Sequence, residues 1–477
     1  MEFLQKIVDT INTYLSDYVL IFLLVGVGLF YSIRTRFVQV RCFGEGMKGV
    51  FSGVKLKGGK QEGGLSSFQA LATAIAAQVG TGNIVGACGA ILVGGPGAIF
   101  WMWIIAFLGM ATIYAEAILA QKTRVTNPDG TVEGGPVYYI KTAFKGKFGK
   151  FLAGFFSVSA VIALGFVGAM VQSNSIASNF ANVFSGFGVN TTFSVGNTEF
   201  NLVMIIVGII VAAIAGFVLL GGVQRLASVT EKMVPVMALL YIVGGLLVLA
   251  INITSVPRAF GMIFQYAFQP QAILGGAFGA AIAKAISQGA KRGLFSNEAG
   301  MGSTPHAHAL ANVKDPHTQG VSAMMGVFID TFVVLTMTAL VVISTLYCND
   351  LITPATSNAT MAQAAFGFTF AKLFGASVGA AIGNIFVAIC LFFFAFSTIL
   401  SWNYFGKVNF TNLFGKKSAT VYSIIAIVFV FLGSIFQNDL VWALTDMFNN
   451  LMVLPNAVAL FALSGMVVSV VHFKKKQ

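Results

Sequence analysis

Val79-Gly80-Thr81-Gly82-Asn83 interrupts an otherwise apolar run from Ser66 to Val93. The run has the length of a membrane span, roughly 20 residues or a little more, yet Gly80 and Gly82 disfavour helix at its centre. Unpaired backbone N–H and C=O groups are costly in hydrocarbon unless they line a cavity or hold a ligand, so a break here is a candidate binding site. The half-helix ending at Ala76 to Gln78 turns carbonyls toward the break and suits a cation. The half beginning near Asn83 offers N–H groups and suits a carboxylate. A zwitterion with a cation fits both; glycines that merely let helices pack closely are the alternative.

Composition agrees with a membrane setting. Hydrophobic residues make up 57% of the 477 and charged residues 9%, with a mean hydropathy of +0.85, against roughly 25% charged in soluble domains. An all-α polytopic membrane protein follows, with about eleven transmembrane helices and short loops. The spans read as Asp17–Ile33, the interrupted run, Ala98–Leu119, Phe151–Phe184, Phe200–Leu220, Val234–Ile251, Pro270–Leu294, Val321–Leu346, Ser377–Trp402, Val421–Ile435 and Leu451–Phe473. The first has acidic residues before it and basic residues after it, which is not the pattern of a cleaved signal peptide.

The net charge of +12 is explained by where the cations fall. With these spans, 25 of the 28 Lys and Arg lie on one side and only Lys6, Arg258 and Lys372 on the other. By the positive-inside rule the N-terminus is outside and the C-terminus cytoplasmic. The expected location is the plasma membrane, or the inner membrane of a diderm bacterium. The basic excess is a topology signal, and no nucleic-acid partner is expected.

The seventh span is glycine-rich again, at Gly275-Gly276 and Gly279. Interrupted spans at corresponding places in two halves point to an inverted-repeat transporter. The chain then divides into an N-terminal extra helix with a basic segment (1–65) and two five-helix repeats (66–256 and 257–477).

Three stretches carry a family resemblance: Gln78-Val79-Gly80-Thr81-Gly82-Asn83-Ile84, the run Gly289-Ala290-Lys291-Arg292-Gly293-Leu294-Phe295-Ser296-Asn297-Glu298-Ala299-Gly300 with Gly302, and Ser401-Trp402-Asn403-Tyr404-Phe405-Gly406. The chain resembles the alanine/glycine:cation symporter family over nearly its whole length. The resemblance implies a LeuT-like 5+5 inverted repeat with two discontinuous helices, and sodium-coupled uptake of small neutral amino acids. It also implies that the amides of Thr81 and Gly82, with Asn83 beside them, hold the substrate carboxylate. Carbonyls of Ala76 and Val79 and hydroxyls of Ser397 and Thr398 would hold sodium, and oxygen ligands suit such a hard cation. Trp402, one turn from Thr398 on the same face, resembles the family's pocket tryptophan. An interfacial aromatic is its alternative, since Lys407 is near.

Other pocket candidates are Gln172, as a donor to a carboxylate or as interhelical glue, and Phe278 and Ile282, one turn apart at the second interruption. Ionisable residues inside spans need a reading each. Glu116 and Lys284 fall near span ends, where they can reach the interface. Asp330 is the best proton-relay candidate, although its distance in sequence from both breaks favours a structural acceptor for Thr331, Thr336 or a neighbouring helix end. Lys232 begins its span, so no lysine stands in for the cation, and sodium is favoured over protons. His306, His308 and Glu298 lack the ligand pattern of a metal enzyme, and no nucleophile, base and orienter can be assembled. This segment reads as an inner gate. The four cysteines imply no disulfide framework.

No cofactor is expected beyond sodium as the coupling ion. The expected partners are an amino-acid substrate and the lipid bilayer, with the single chain working as a monomer. The alternatives are a proton-coupled carrier and a carrier of another solute such as glutamine.

Overall fold

A computed structural model describes residues 2–53, 64–128, 130–189, 191–195, 198–269, 278–436 and 439–471. The described chain is helical apart from two short hairpins, Val125–Thr126 with Val132–Glu133 and Thr192–Val195 with Thr198–Asn201. In chain order the helices are α1 (Glu2–Tyr14), α2 (Leu20–Arg34), α3 (Phe43–Gly53), α4 (Ser67–Gln78), α5 (Gly82–Gly94), α6 (Ala98–Thr123), α7 (Gly146–Gly186), α8 (Leu202–Leu220), α9 (Gly222–Ile251) and α10 (Val256–Phe268). The second half adds α11 (Phe278–Asn297), α12 (Pro305–His308), α13 (Pro316–Asn349), α14 (Met361–Phe374), α15 (Ala376–Phe414), α16 (Ala419–Ile435) and α17 (Asp439–Ala462).

Seven of these (α6, α7, α8, α9, α13, α15 and an α16 extended to Lys416) are long and apolar enough to cross a membrane, and the bent pair α4–α5 makes an eighth. The chain is a multi-pass membrane protein. α2 is apolar but short, and α1 runs into it through one wide turn at Leu15–Val19. This N-terminal rod lies along α17: Asn12 donates to the Ala443 carbonyl at 2.7 Å, Asn450 to Ser16 at 2.8 Å, and Tyr31 to the Leu460 carbonyl at 2.5 Å. Both numberings rise together, so the two helices run parallel.

α4 begins at a reciprocal cap, with Ser66 accepting from the Gln69 N–H at 3.1 Å and Gln69 accepting from the Ser66 N–H at 3.0 Å, the arrangement that satisfies two otherwise orphaned donors. It ends at Val79, whose ψ of 87° leaves the helix. α5 resumes after Thr81 at a bend of 47°. The first break is where the glycines put it.

The second interruption needs correcting. Gly275 and Gly276 lie outside the described residues, and Gly279 lies within the regular helix α11. Irregular backbone comes some twenty residues later, where Glu298, Gly300 and Gly302 take φ of 59°, 91° and 83°. α11 starts beside the Gly97 end of α6, since Gly94 packs on Ala285 and Gln288, and Gly289 on Ala98 and Trp101. Past the irregular stretch the chain reaches the opposite end of α6, where Gln121 donates to the carbonyls of His308 (2.5 Å) and Ala311 (3.0 Å). There the Leu65 N–H meets the Leu310 carbonyl at 2.9 Å, just ahead of α4. The paths 65–94 and 278–312 therefore run in opposite directions, each broken midway.

This placement also moves charge. Lys284, Lys291 and Arg292 stand on α11, on the Gly97 side of the irregular stretch and apart from Lys314 beyond it. Lys284 lines a cavity of about 960 Å³ with Gln5, Asp9 and Asp439.

Candidate functional site

The two breaks face each other. A Cβ on Gly82 would come within 3.0 Å of the Ser296 Cα, and one on Gly80 within 2.3 Å of the Thr398 Oγ1, so both glycines are required by close approach. Replacing Gly80 with Ala should displace Thr398, lower the melting temperature and weaken ligand binding together. Unchanged melting and binding in that variant would mean that the contact is not a constraint.

Around the first break several backbone groups freed from the helix find side-chain partners. The Gly80 N–H donates to the Asn83 Oδ1 at 2.9 Å, closing the turn. The Thr81 N–H donates to the Gln172 Oε1 at 3.1 Å, and the Thr81 hydroxyl donates to the same oxygen. Thr398 reaches across from α15 and donates to the carbonyls of Ala76 (3.1 Å) and Ala77 (3.2 Å). Gln172 therefore sits on one of the amides assigned to a carboxylate, and Thr398 on one of the two carbonyls assigned to a cation, Ala76, with Ala77 in place of Val79 as the other. Ser397 turns elsewhere, donating to its own helix at the Phe394 carbonyl (2.9 Å) and touching the Met237 sulfur. Successive helical residues point about 100° apart, so only one of the two hydroxyls meets α4.

Asp330 is not remote from the breaks. It accepts from the Asn83 amide at 2.6 Å, from the Ser296 hydroxyl at 3.0 Å and from Thr331 at 2.8 Å. Its helix widens to a π-type ladder over Phe328–Leu335, as α5 does over Gly82–Gly86, a local unwinding common at functional sites. Thr331 is a partner as expected, whereas Thr336 bonds the Thr331 carbonyl instead.

Glu116 is likewise buried rather than snorkelling. It accepts from Asn456 at 2.6 Å and from the Gly300 N–H at 3.2 Å, inside the second break. Glu298 accepts from the Trp402 Nε1 at 2.5 Å and from the Ser303 hydroxyl. Three buried carboxylates thus surround the second break, and among the described residues none has a Lys or Arg within ion-pair distance. A buried charge without a partner is strongly disfavoured, so these carboxyls are either protonated or met by a cation.

Trp402 is 1% exposed, which excludes an interfacial anchor. Its ring stands edge-on to Phe295 at 5.8 Å and fits against Gly168, where a Cβ would lie 2.5 Å from it. Phe295 continues to Trp442 at 5.6 Å, and Trp442 lies under the Arg292 guanidinium at 5.4 Å. Arg292 pairs with Asp446 at 3.2 Å on the edge of the charged cavity. Ile282, half-buried, lies fifteen residues before Asn297, about 22 Å along the helix axis, and does not wall this pocket. Phe278 starts the same helix farther away still, and its side chain lies outside the described residues. Phe295, Ser296 and Glu298 take the place assigned to that pair. The signal for them was present: a carboxylate flanked by Gly300 and Gly302 in an otherwise apolar chain.

The sequence profile of the sodium:alanine symporter family matches residues 1–477. The chain belongs to this family. It is 40% identical to the sodium/alanine symporter AgcS of Methanococcus maripaludis, over 98% of this chain and 96% of that one. It is 36% identical to the probable sodium/glutamine symporter GlnT of Bacillus subtilis, over 98% and 90%. Among solved structures, MhsT in complex with L-phenylalanine superposes with a TM-score of 0.58 at 13% identity, covering 86% of this chain and all of that one. That likeness shows the LeuT-like fold. Members of the family are transporters, not enzymes.

Proposed function

We propose that the chain is a sodium-coupled symporter that imports small neutral amino acids, alanine or glycine, by alternating access. The observation that carries this reading is the meeting of two broken helices, with the helix-end carbonyls of Ala76 and Ala77 met by Thr398, a donor at Thr81, and buried carboxylates opposite. In the loaded state the substrate carboxylate takes the N–H groups of Thr81 and Gly82, displacing Gln172. Sodium takes the carbonyls of Ala76 and Val79 with the Thr398 hydroxyl, and Trp402 and Phe295 wall the side-chain space. Five segments per half, from the repeats 66–256 and 257–477, with the N-terminal rod as the eleventh span, would place the N-terminus outside and the C-terminus in the cytoplasm. The charged cavity then lies on the outer side, and Arg292–Asp446 at its edge is positioned to gate entry. One chain supplies both breaks, so the monomer suffices.

Thr398→Ala removes an oxygen ligand and should raise the sodium concentration for half-maximal uptake several-fold, with expression unchanged. Uptake into proteoliposomes at graded sodium checks it, and an unshifted sodium curve would remove Thr398 from the site. The cluster of Glu116, Glu298 and Asp330 favours a second reading, coupling to protons. Alanine accumulation driven by an inward proton gradient without sodium would replace the first reading by the second.

A further inference from the structure

We infer that Cys42, Glu45 and His317 form a binding site for a transition-metal dication of the zinc class. One ligand atom from each of the three lies within 4.8 Å of the others. The residues come from separate places: Cys42 just before α3, Glu45 from its first turn, and His317 from the first turn of α13, so the site forms only when the fold brings these segments together.

The chemistry and the spacing both suit such an ion. Thiolate, imidazole and carboxylate are the three side-chain ligands that zinc takes, and three of them with an open fourth position make the pattern of an accessible site. The His317 Nε2 and Glu45 Oε1 stand 3.8 Å apart, too long for a hydrogen bond. In a tetrahedron with metal–ligand bonds of about 2.0–2.3 Å, the ligand atoms are roughly 3.3–3.6 Å from one another, so the His317–Glu45 pair needs only a few tenths of an ångström of closure and the Cys42 sulfur, within 4.8 Å of both, at most about 1 Å.

A further partner fixes the imidazole. The Tyr114 hydroxyl bonds the His317 Nδ1 at 2.6 Å, which sets the ring and turns Nε2 toward Glu45, the support a metal-bound histidine characteristically has. Cys42 and His317 are buried while Glu45 is exposed, so the ion has buried anchors and a path in. On binding, the Cys42 thiol gives its proton to solvent and the ion pins α3 to α13, the helix that also carries Asp330. Nothing in this inference depends on what the chain transports.

Titration of the purified full-length chain in detergent with cobalt(II), a spectroscopic stand-in for zinc, tests it. The expected result is one cobalt per chain with tetrahedral visible bands and a thiolate charge-transfer band, displaced by zinc, and a melting temperature that rises with added zinc. Cys42→Ser should abolish the charge-transfer band. Glu45→Gln, at an exposed position that leaves folding intact, and Tyr114→Phe should each weaken binding by about 10-fold or more. Absence of these bands from the folded protein at saturating cobalt would overturn the site. So would a charge-transfer band that survives Cys42→Ser, since the thiolate would then be Cys88, Cys348 or Cys390.

Discussion

Thr81→Pro should weaken alanine binding by about 10- to 100-fold, the loss of a hydrogen bond to a charged acceptor. The substitution is unusually clean. Thr81 has a φ of −54°, which proline adopts without strain, and its N–H serves no helix carbonyl but points to Gln172. The position opens α5, where proline is well tolerated. What is lost is the backbone donor and the side-chain hydroxyl, both of which reach Gln172. Thr81→Ser restores both donors and should bind as the parent does. Binding of labelled alanine to purified protein, with decarboxylated analogues as competitors, decides the matter. Parental affinity in Thr81→Pro, or equal competition by the analogues, would show that the carboxylate is held elsewhere.

Trp402→Ala should change which amino acids compete rather than simply lower uptake. The ring is buried between Phe295 and Gly168, and its removal opens the wall of a small apolar space. One methylene in such a pocket discriminates by roughly 1–3 kcal/mol, so larger neutral side chains should gain on alanine by about 10-fold or more. The same change removes a core aromatic, at about 3–5 kcal/mol, and strips Glu298 of a donor. Trp402→Phe separates these contributions, because it keeps most of the volume and loses only the N–H to Glu298. The expected pattern is an altered ranking in the alanine variant and a near-parental ranking with reduced melting temperature in the phenylalanine variant. A panel of amino acids competing against labelled alanine, normalised for protein, measures it; an identical ranking in all three proteins would move the pocket away from Trp402.

The first break was legible because glycine, a small polar residue and asparagine interrupt a run that is apolar on both sides. The second was not, for the opposite reason. α11 carries Lys284, Lys291 and Arg292 beside a charged cavity, so it does not look like half of a membrane span, and the glycine pair before it drew the reading too early. A half-helix that lines water need not be apolar, and hydropathy is blind to it. Asp330, remote from both breaks in sequence, is close to them in space, where it accepts from Thr331 and from Asn83 and Ser296 at neighbouring helix ends. α13 returns to the centre of the molecule and sets its carboxylate on Asn83. Of the paired hydroxyls, only Thr398 faces α4, a choice decided by the rotation of α15 that the sequence alone leaves open.

The hold of Gln172 on Thr81 bears on turnover. On the proposed assignment, an arriving carboxylate would not find a bare amide; it would exchange with a side-chain carbonyl that already accepts the same hydrogen, so the number of hydrogen bonds would change little as cargo comes and goes. Such an internal understudy tempers affinity, since each binding event must first evict it, and it quickens release, since it is ready to return. Transport rewards this balance: a carrier that gripped its cargo with no built-in rival would fill readily and empty slowly.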